Sequence, residues 1–135
     1  MAAILVAGVR GPSWSAGWLL VVVGILVALS GAAVAFSAGR AHAGSLTPFP
    51  QPKPGAALIE SGPYRVVRHP IYSGGTLFFV GISLALSPAA LAVTVILAIV
   101  WALKAQLEER FLREADLAYA GYCERTRARL IPFVY

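Results

Sequence analysis

The chain has 135 residues, 59% of them hydrophobic and 13% charged, with a mean hydropathy of +0.76. That is too little charge and too much apolar surface for an ordinary water-soluble domain, and it excludes a disordered chain, a two-domain enzyme and a soluble Rossmann or TIM architecture. The formal charge of +5 comes without a basic run, so it reads as the Lys and Arg excess of cytoplasmic membrane loops and not as a nucleic-acid surface. Cys123 is the single cysteine, which excludes an internal disulfide, and nothing surrounds it at metal-ligand spacing.

Residues 2–9 are apolar but too short to span a bilayer, and read as an interfacial segment or a shortened helix. No side chain from 14 to 36 is charged; at 1.5 Å per residue this stretch reaches about 34 Å, enough to cross the hydrocarbon core. Arg10 ahead of it and Ala41-His42-Ala43 behind it mimic a secretory signal. The stretch outruns the roughly 7 to 15 residues of a usual signal core, however, and Arg40 interrupts it before the small-residue site, so a membrane helix is the better reading. Gly31, Ala35 and Gly39, with Ala28 and Ala32, recur every four residues and would let a neighbouring helix approach closely. Pro48, Pro50, Pro52 and Pro54 then make a stiff, extended spacer.

A second charge-free stretch, 71–103, would be about 50 Å long as one helix and must turn. Ser87-Pro88 supplies the break, because proline lacks the N–H that a helix interior needs. The expectation is a helical hairpin starting near Pro70 and running past Lys104. Beyond Lys104, Leu107, Phe111, Ala115, Ala118 and Tyr122 fall at helical spacing and predict an amphipathic helix along the inner membrane surface. Its solvated face would carry Glu109, Arg113 and Glu114, with Glu109 paired to Arg113, Arg110 to Glu114 and Lys104 to Glu108. Arg40, Lys53, Arg65 and Arg68 outnumber Glu60 in the middle loop, which places that loop and the tail inside and the amino terminus outside. The fold expected is an all-α integral protein of the inner membrane: one unit of about three transmembrane helices, the last two a hairpin, plus a C-terminal cytoplasmic amphipathic helix.

Two polar clusters border the membrane on this inner face. The first is Ser61-Gly62-Pro63-Tyr64-Arg65-Val66-Val67-Arg68-His69-Pro70-Ile71-Tyr72, and the second is residues 104–110. Pro70 suits the first helical turn, which makes His69 the capping position and leaves free N–H groups that attract an anion. Neither cluster names a reaction by itself.

A resemblance does. The string Gly62-Pro63-Tyr64-Arg65-x-x-Arg68-His69-Pro70-x-Tyr72-x-Gly74, then Lys104-x-x-x-Glu108-Glu109-Arg110-x-Leu112, Tyr119-x-x-Tyr122 and Arg129-x-Ile131-Pro132, resembles the isoprenylcysteine carboxyl methyltransferase and phospholipid methyltransferase superfamily over about residues 56–132. The resemblance implies a membrane methyltransferase that uses S-adenosylmethionine without a Rossmann domain. It implies cofactor contacts from Ala56, Ala57, Leu58, Ile59, Tyr64, His69, Pro70, Ile71, Tyr72 and Glu108. Lys104 stands where eukaryotic members carry a substrate-contacting arginine, and a point charge there in place of a planar fork leaves the acceptor open. Lys104, His69 and Tyr72 are the candidate catalytic residues. The acceptor would be hydrophobic or membrane-associated: an isoprenylcysteine carboxylate, a phospholipid amine, a thiol or an isoprenoid-like molecule. The competing readings are an NADPH-dependent membrane reductase of the sterol reductase type, which would need additional basic groups for a 2′-phosphate, and a non-enzymatic membrane partner.

Overall fold

The computed structural model describes residues 1–10, 17–41, 58–132 and 134. They are helical, with no strand among them: α1 (Ala2–Arg10), α2 (Gly17–Ala41), one 3-10 turn (Gly62–Arg65), α3 (Pro70–Leu86), α4 (Pro88–Ala115) and α5 (Ala118–Arg125). The proline spacer, Ala56 and Ala57 lie outside the described residues.

Two helices, α2 and α4, are long and apolar enough to cross a membrane, whereas α3 has 17 residues. At 1.5 Å per residue that is about 26 Å, just short of a full hydrocarbon core. The expected hairpin is present, and its corner is the single residue Ser87. Ser87 Oγ accepts the Ala90 N–H at 3.2 Å, so the serine caps α4 while Pro88 occupies the first position, where its missing N–H costs nothing. The same hydroxyl donates to the Ala7 carbonyl at 3.1 Å, which ties α1 to the hairpin corner.

The chain forms two compact units, Met1–Ala33 with Gly74–Val100, and Val34–Ser73 with Trp101–Tyr135. In the first, large apolar side chains such as Leu26, Leu29, Ile96 and Ile99 face outward, and the small residues face one another. A Cβ on Gly24 would stand 2.5 Å from the Gly81 carbonyl oxygen, and one on Gly31 would stand 2.6 Å from that of Gly74. The backbones of α2 and α3 therefore touch, as in helices packed within lipid, where close approach replaces the hydrophobic drive. Of the small residues expected at the contact, Gly31 is in it, but a Cβ on Gly39 would meet nothing within 4 Å. Across the hairpin, the buried hydroxyls of Ser83 and Thr94 bond at 2.8 Å.

The single helix expected after Lys104 needs correction. Residues 104–115 complete α4, and a separate α5 follows a break at Asp116, whose Oδ1 accepts the Ala118 N–H at 2.8 Å. The break resets the helical phase. Leu107, Ala115 and Ala118 are exposed, Phe111 is half-buried and Tyr122 is buried, and the residues packed against the rest of the unit are Ala105, Glu109, Tyr119 and Tyr122.

Candidate functional site

The site lies within the second unit and begins with a turn. Gly62 has φ +58°, a left-handed value that glycine adopts without Cβ strain, and Pro63 follows it into the 3-10 turn. The Tyr64 carbonyl accepts the Tyr122 phenol at 2.7 Å and the Thr126 hydroxyl at 3.4 Å. The tail then runs beside the loop: the Arg68 and His69 N–H groups donate to the Ala128 and Arg129 carbonyls at 3.0 Å each, and Ser73 Oγ donates to Leu130 O at 2.5 Å. Ser73 N–H closes the first turn of α3 on the His69 carbonyl at 3.1 Å, so His69 caps α3 through its backbone and its ring is free to do something else.

Glu109 is the hub of this region. Expected on a solvated face, it is 3% exposed. Its Oε1 takes Arg68 Nε at 2.8 Å and faces His69 Nε2 at 3.3 Å, while Oε2 takes Arg129 Nη2 at 3.1 Å and Arg68 Nη2 at 3.4 Å. Arg68 Nη1 also donates to the Thr126 and Arg127 carbonyls, at 2.8 and 2.5 Å. The expected Glu109–Arg113 pair does not form; Arg113 instead lies over the Tyr119 ring and reaches Cys123 Sγ at 3.5 Å. A buried carboxylate must have its charge matched, and three side chains far away in sequence do so here. Burial pulls the Arg68 guanidinium down, but the bond to Glu109 and its charge outweigh that and leave it raised.

Glu108, one position earlier, faces a different set of partners. Its Oε1 accepts the Tyr72 phenol at 2.6 Å, with Lys104 Nζ at 3.9 Å, and its Oε2 is 3.5 Å from His69 Nδ1. Tyr72 stacks with the His69 ring and with the Trp101 indole, both centroids 5.8 Å away, and Lys104 Nζ lies over its ring at 5.6 Å. The Glu108 side chain is 17% exposed against 4% for Glu109, so it is the carboxylate a ligand can reach. Burial, with the Glu108 charge adding to it, pushes the Tyr64 phenol up to about 12, so that it remains a neutral donor. Among the described residues no group of three His, Cys, Asp or Glu is placed to hold a metal ion.

Of the residues expected at the site, His69, Tyr72, Lys104 and Glu108 converge, and Tyr64 is close enough to feel the Glu108 charge. Pro70 is buried at the start of α3, and Leu58, Ile59 and Ile71 are half-buried and make no polar side-chain contact. Sequence reading misses Trp101, the inward role of Glu109, and Arg129 as its partner. The available signal was two adjacent glutamates, which a helix aims about 100° apart, so they were bound to meet different partners. Beside the hub, a groove of about 370 Å³ is lined by Arg68, Arg129, Ala102, Leu130, Ile131 and Val134.

The sequence profile of the family described as phospholipid methyltransferase matches residues 13–115. The chain belongs to the phospholipid methyltransferase family. The match takes in α2 as well as the polar clusters, so the kinship begins ahead of residue 56 and includes the first long apolar helix. A family of membrane methyltransferases accords with helices that carry their large apolar side chains outward. The cobalt-zinc-cadmium resistance protein CzcN of Cupriavidus metallidurans is 40% identical over 75 residues, 53% of this chain. The matched part is about a third, 34%, of that relative's length.

Proposed function

We propose that this protein is an S-adenosylmethionine-dependent methyltransferase of the inner membrane that methylates a hydrophobic or membrane-associated acceptor. The observation that carries this reading is the partly accessible carboxylate of Glu108 set against the stacked faces of Tyr72 and Trp101. A carboxylate beside aromatic faces suits a cationic nucleoside, through charge-assisted hydrogen bonds to an ammonium or a ribose and through cation–π contact. The residues present therefore fit the cofactor. When bound, it supplies a methyl group on a sulfonium, whose S–C bonding pair returns to sulfur as the methyl passes to the acceptor.

Glu108 would hold the cofactor's polar end, and Tyr64 would remain protonated beside it. The basic side chains of Arg68, Lys104 and Arg129 around Glu108 and Glu109 leave no excess negative charge. That favours transfer, because positive charge on the donor is quenched as the methyl leaves, and negative surroundings would stabilise the starting state. The rest is positioning, with the acceptor brought into line with the methyl. An apolar wall beside two guanidiniums, as in the groove at Arg68 and Arg129, suits an acceptor with a polar head and a hydrocarbon tail. A carboxylate acceptor needs no base, whereas a thiol or amine must lose a proton.

We place the amino terminus outside and the polar site inside, with α3 as the third span, from the excess of Lys and Arg in the middle loop. Calorimetry on the detergent-purified protein tests the function. S-adenosylhomocysteine should bind saturably, and Glu108→Gln should weaken it about tenfold or more, the loss of one charged hydrogen bond. Saturable binding of NADPH alone would overturn the assignment. Ser87 is buried, so topology is better tested at Leu117, which is 94% exposed. Leu117→Cys in a Cys123→Ser background should resist an impermeant thiol reagent in intact cells and react after lysis. Labelling of intact cells would invert the orientation.

A further inference from the structure

His69 touches a carboxylate with each ring nitrogen: Nε2 lies 3.3 Å from Glu109 Oε1 and Nδ1 lies 3.5 Å from Glu108 Oε2. A neutral imidazole carries one N–H and one bare lone pair. Arg68 and Arg129 hold Glu109 ionised, so Nε2 must donate. A bare Nδ1 would then set its lone pair against an oxygen of Glu108, in a side chain 8% exposed where water screens little. Protonation of Nδ1 turns that one repulsive contact into an attractive one and leaves both ring nitrogens donating to carboxylates. The charged and titratable groups around the ring are Glu108, Glu109 and Lys104 on α4, Tyr72 on α3, Arg68 before it, Tyr64 in the 3-10 turn, Tyr119 on α5 and Arg129 in the tail. The three cations among them oppose a further positive charge, yet the polar contacts of both ring nitrogens are carboxylate oxygens.

We propose that His69 is a standing imidazolium that bridges Glu109 to Glu108: a positioning residue that aims the accessible carboxylate, and not the proton acceptor of the reaction. The charge state stands on the geometry alone; its consequence for cofactor binding rests on the methyltransferase reading. The electrostatics agree in direction. Burial pulls the imidazolium down, but the hydrogen bonds and charges of Glu108 and Glu109 more than offset it, and the net shift is upward from the ordinary value of 6.5. With the folded value raised, the stability this charge adds is fully present below about 6.5 and is lost as pH rises through the folded value. An imidazolium cannot take a proton, so a thiol or amine acceptor would have to lose its proton to another group or to water.

The chain has two histidines, so His42→Gln leaves one imidazole to observe. In the full-length protein labelled with 15N-histidine, both ring nitrogens should resonate as N–H at pH 7.5, and the deprotonation midpoint should fall by about one pH unit or more in Glu108→Gln. A bare ring nitrogen at pH 7.5, or a midpoint indifferent to Glu108→Gln, would overturn the proposal. Native affinity for S-adenosylhomocysteine should decline across the same midpoint, whereas His69→Gln should bind about tenfold more weakly with no such decline. A His69→Gln variant that kept the native pH profile would refute the positioning role. If the native protein bound no S-adenosylhomocysteine at all, the methyltransferase reading would fail, while the ring resonances would still decide the charge of His69.

Discussion

The two units solve the same problem, holding helices together, by opposite means. In Met1–Ala33 with Gly74–Val100, α2 and α3 meet backbone to backbone at Gly24, Gly31, Gly74 and Gly81, and the buried hydroxyls of Ser83 and Thr94 make a neutral polar contact across the hairpin. In Val34–Ser73 with Trp101–Tyr135, the corresponding place is taken by a buried carboxylate with two guanidiniums and an imidazole around it. A lipid surround gives little hydrophobic drive for helix association, so fit between small residues does the work. A region that buries charge instead needs each charge matched. One chain therefore carries a packing surface that tolerates no added volume and a polar hub that tolerates no lost charge.

The sharpest way to break that contrast is Glu109→Ala. It would leave Arg68 without its carboxylate partner and His69 with one, and by the usual cost of removing one member of a buried pair it should destabilise by about 3–5 kcal/mol. Denaturation in detergent would measure this, and a loss below about 1 kcal/mol would show that the hub is not structural. Next in size is the backbone contact. Gly31→Leu forces side-chain atoms into the Gly74 and Phe78 backbone and should cost about 1–3 kcal/mol. Gly39→Ala has open space and should be neutral or stabilising by up to about 1 kcal/mol, the ordinary gain of alanine over glycine in a helix. Equal effects at the two positions would refute the helix contact. The smallest effect belongs to Arg125, which bonds Glu60 at 2.7 Å with its side chain 62% exposed. Arg125→Ala should cost under about 1 kcal/mol and less still at high salt, whereas the Arg68–Glu109 pair should be insensitive to salt.

Local chemistry was enough to locate the corner of the hairpin: proline has no N–H to give and serine caps well, so Pro88 opens α4 and Ser87 caps it. The convergence of His69 and Tyr72 with Lys104 and Glu108 was legible only as a motif, since nothing in helical spacing links residues some forty positions apart. Glu109 was misread for the same reason. Spacing rules see partners three and four residues away and offered Arg113, but the true partners are Arg68, His69 and Arg129. The single helix expected after Lys104 is two helices, because the chain breaks at Asp116, whose carboxylate accepts the Ala118 N–H and starts α5 in a new phase.

The amino-acid order alone determined the long apolar helices, the turn between α3 and α4, and membership of a methyltransferase family, because length, charge-free runs and proline act locally or persist as motif. Tertiary structure decided which of two neighbouring glutamates is buried among arginines and which stays partly exposed. Adjacent positions on a helix point about 100° apart, and only packing of the loop and the tail against α4 determines which direction is inward.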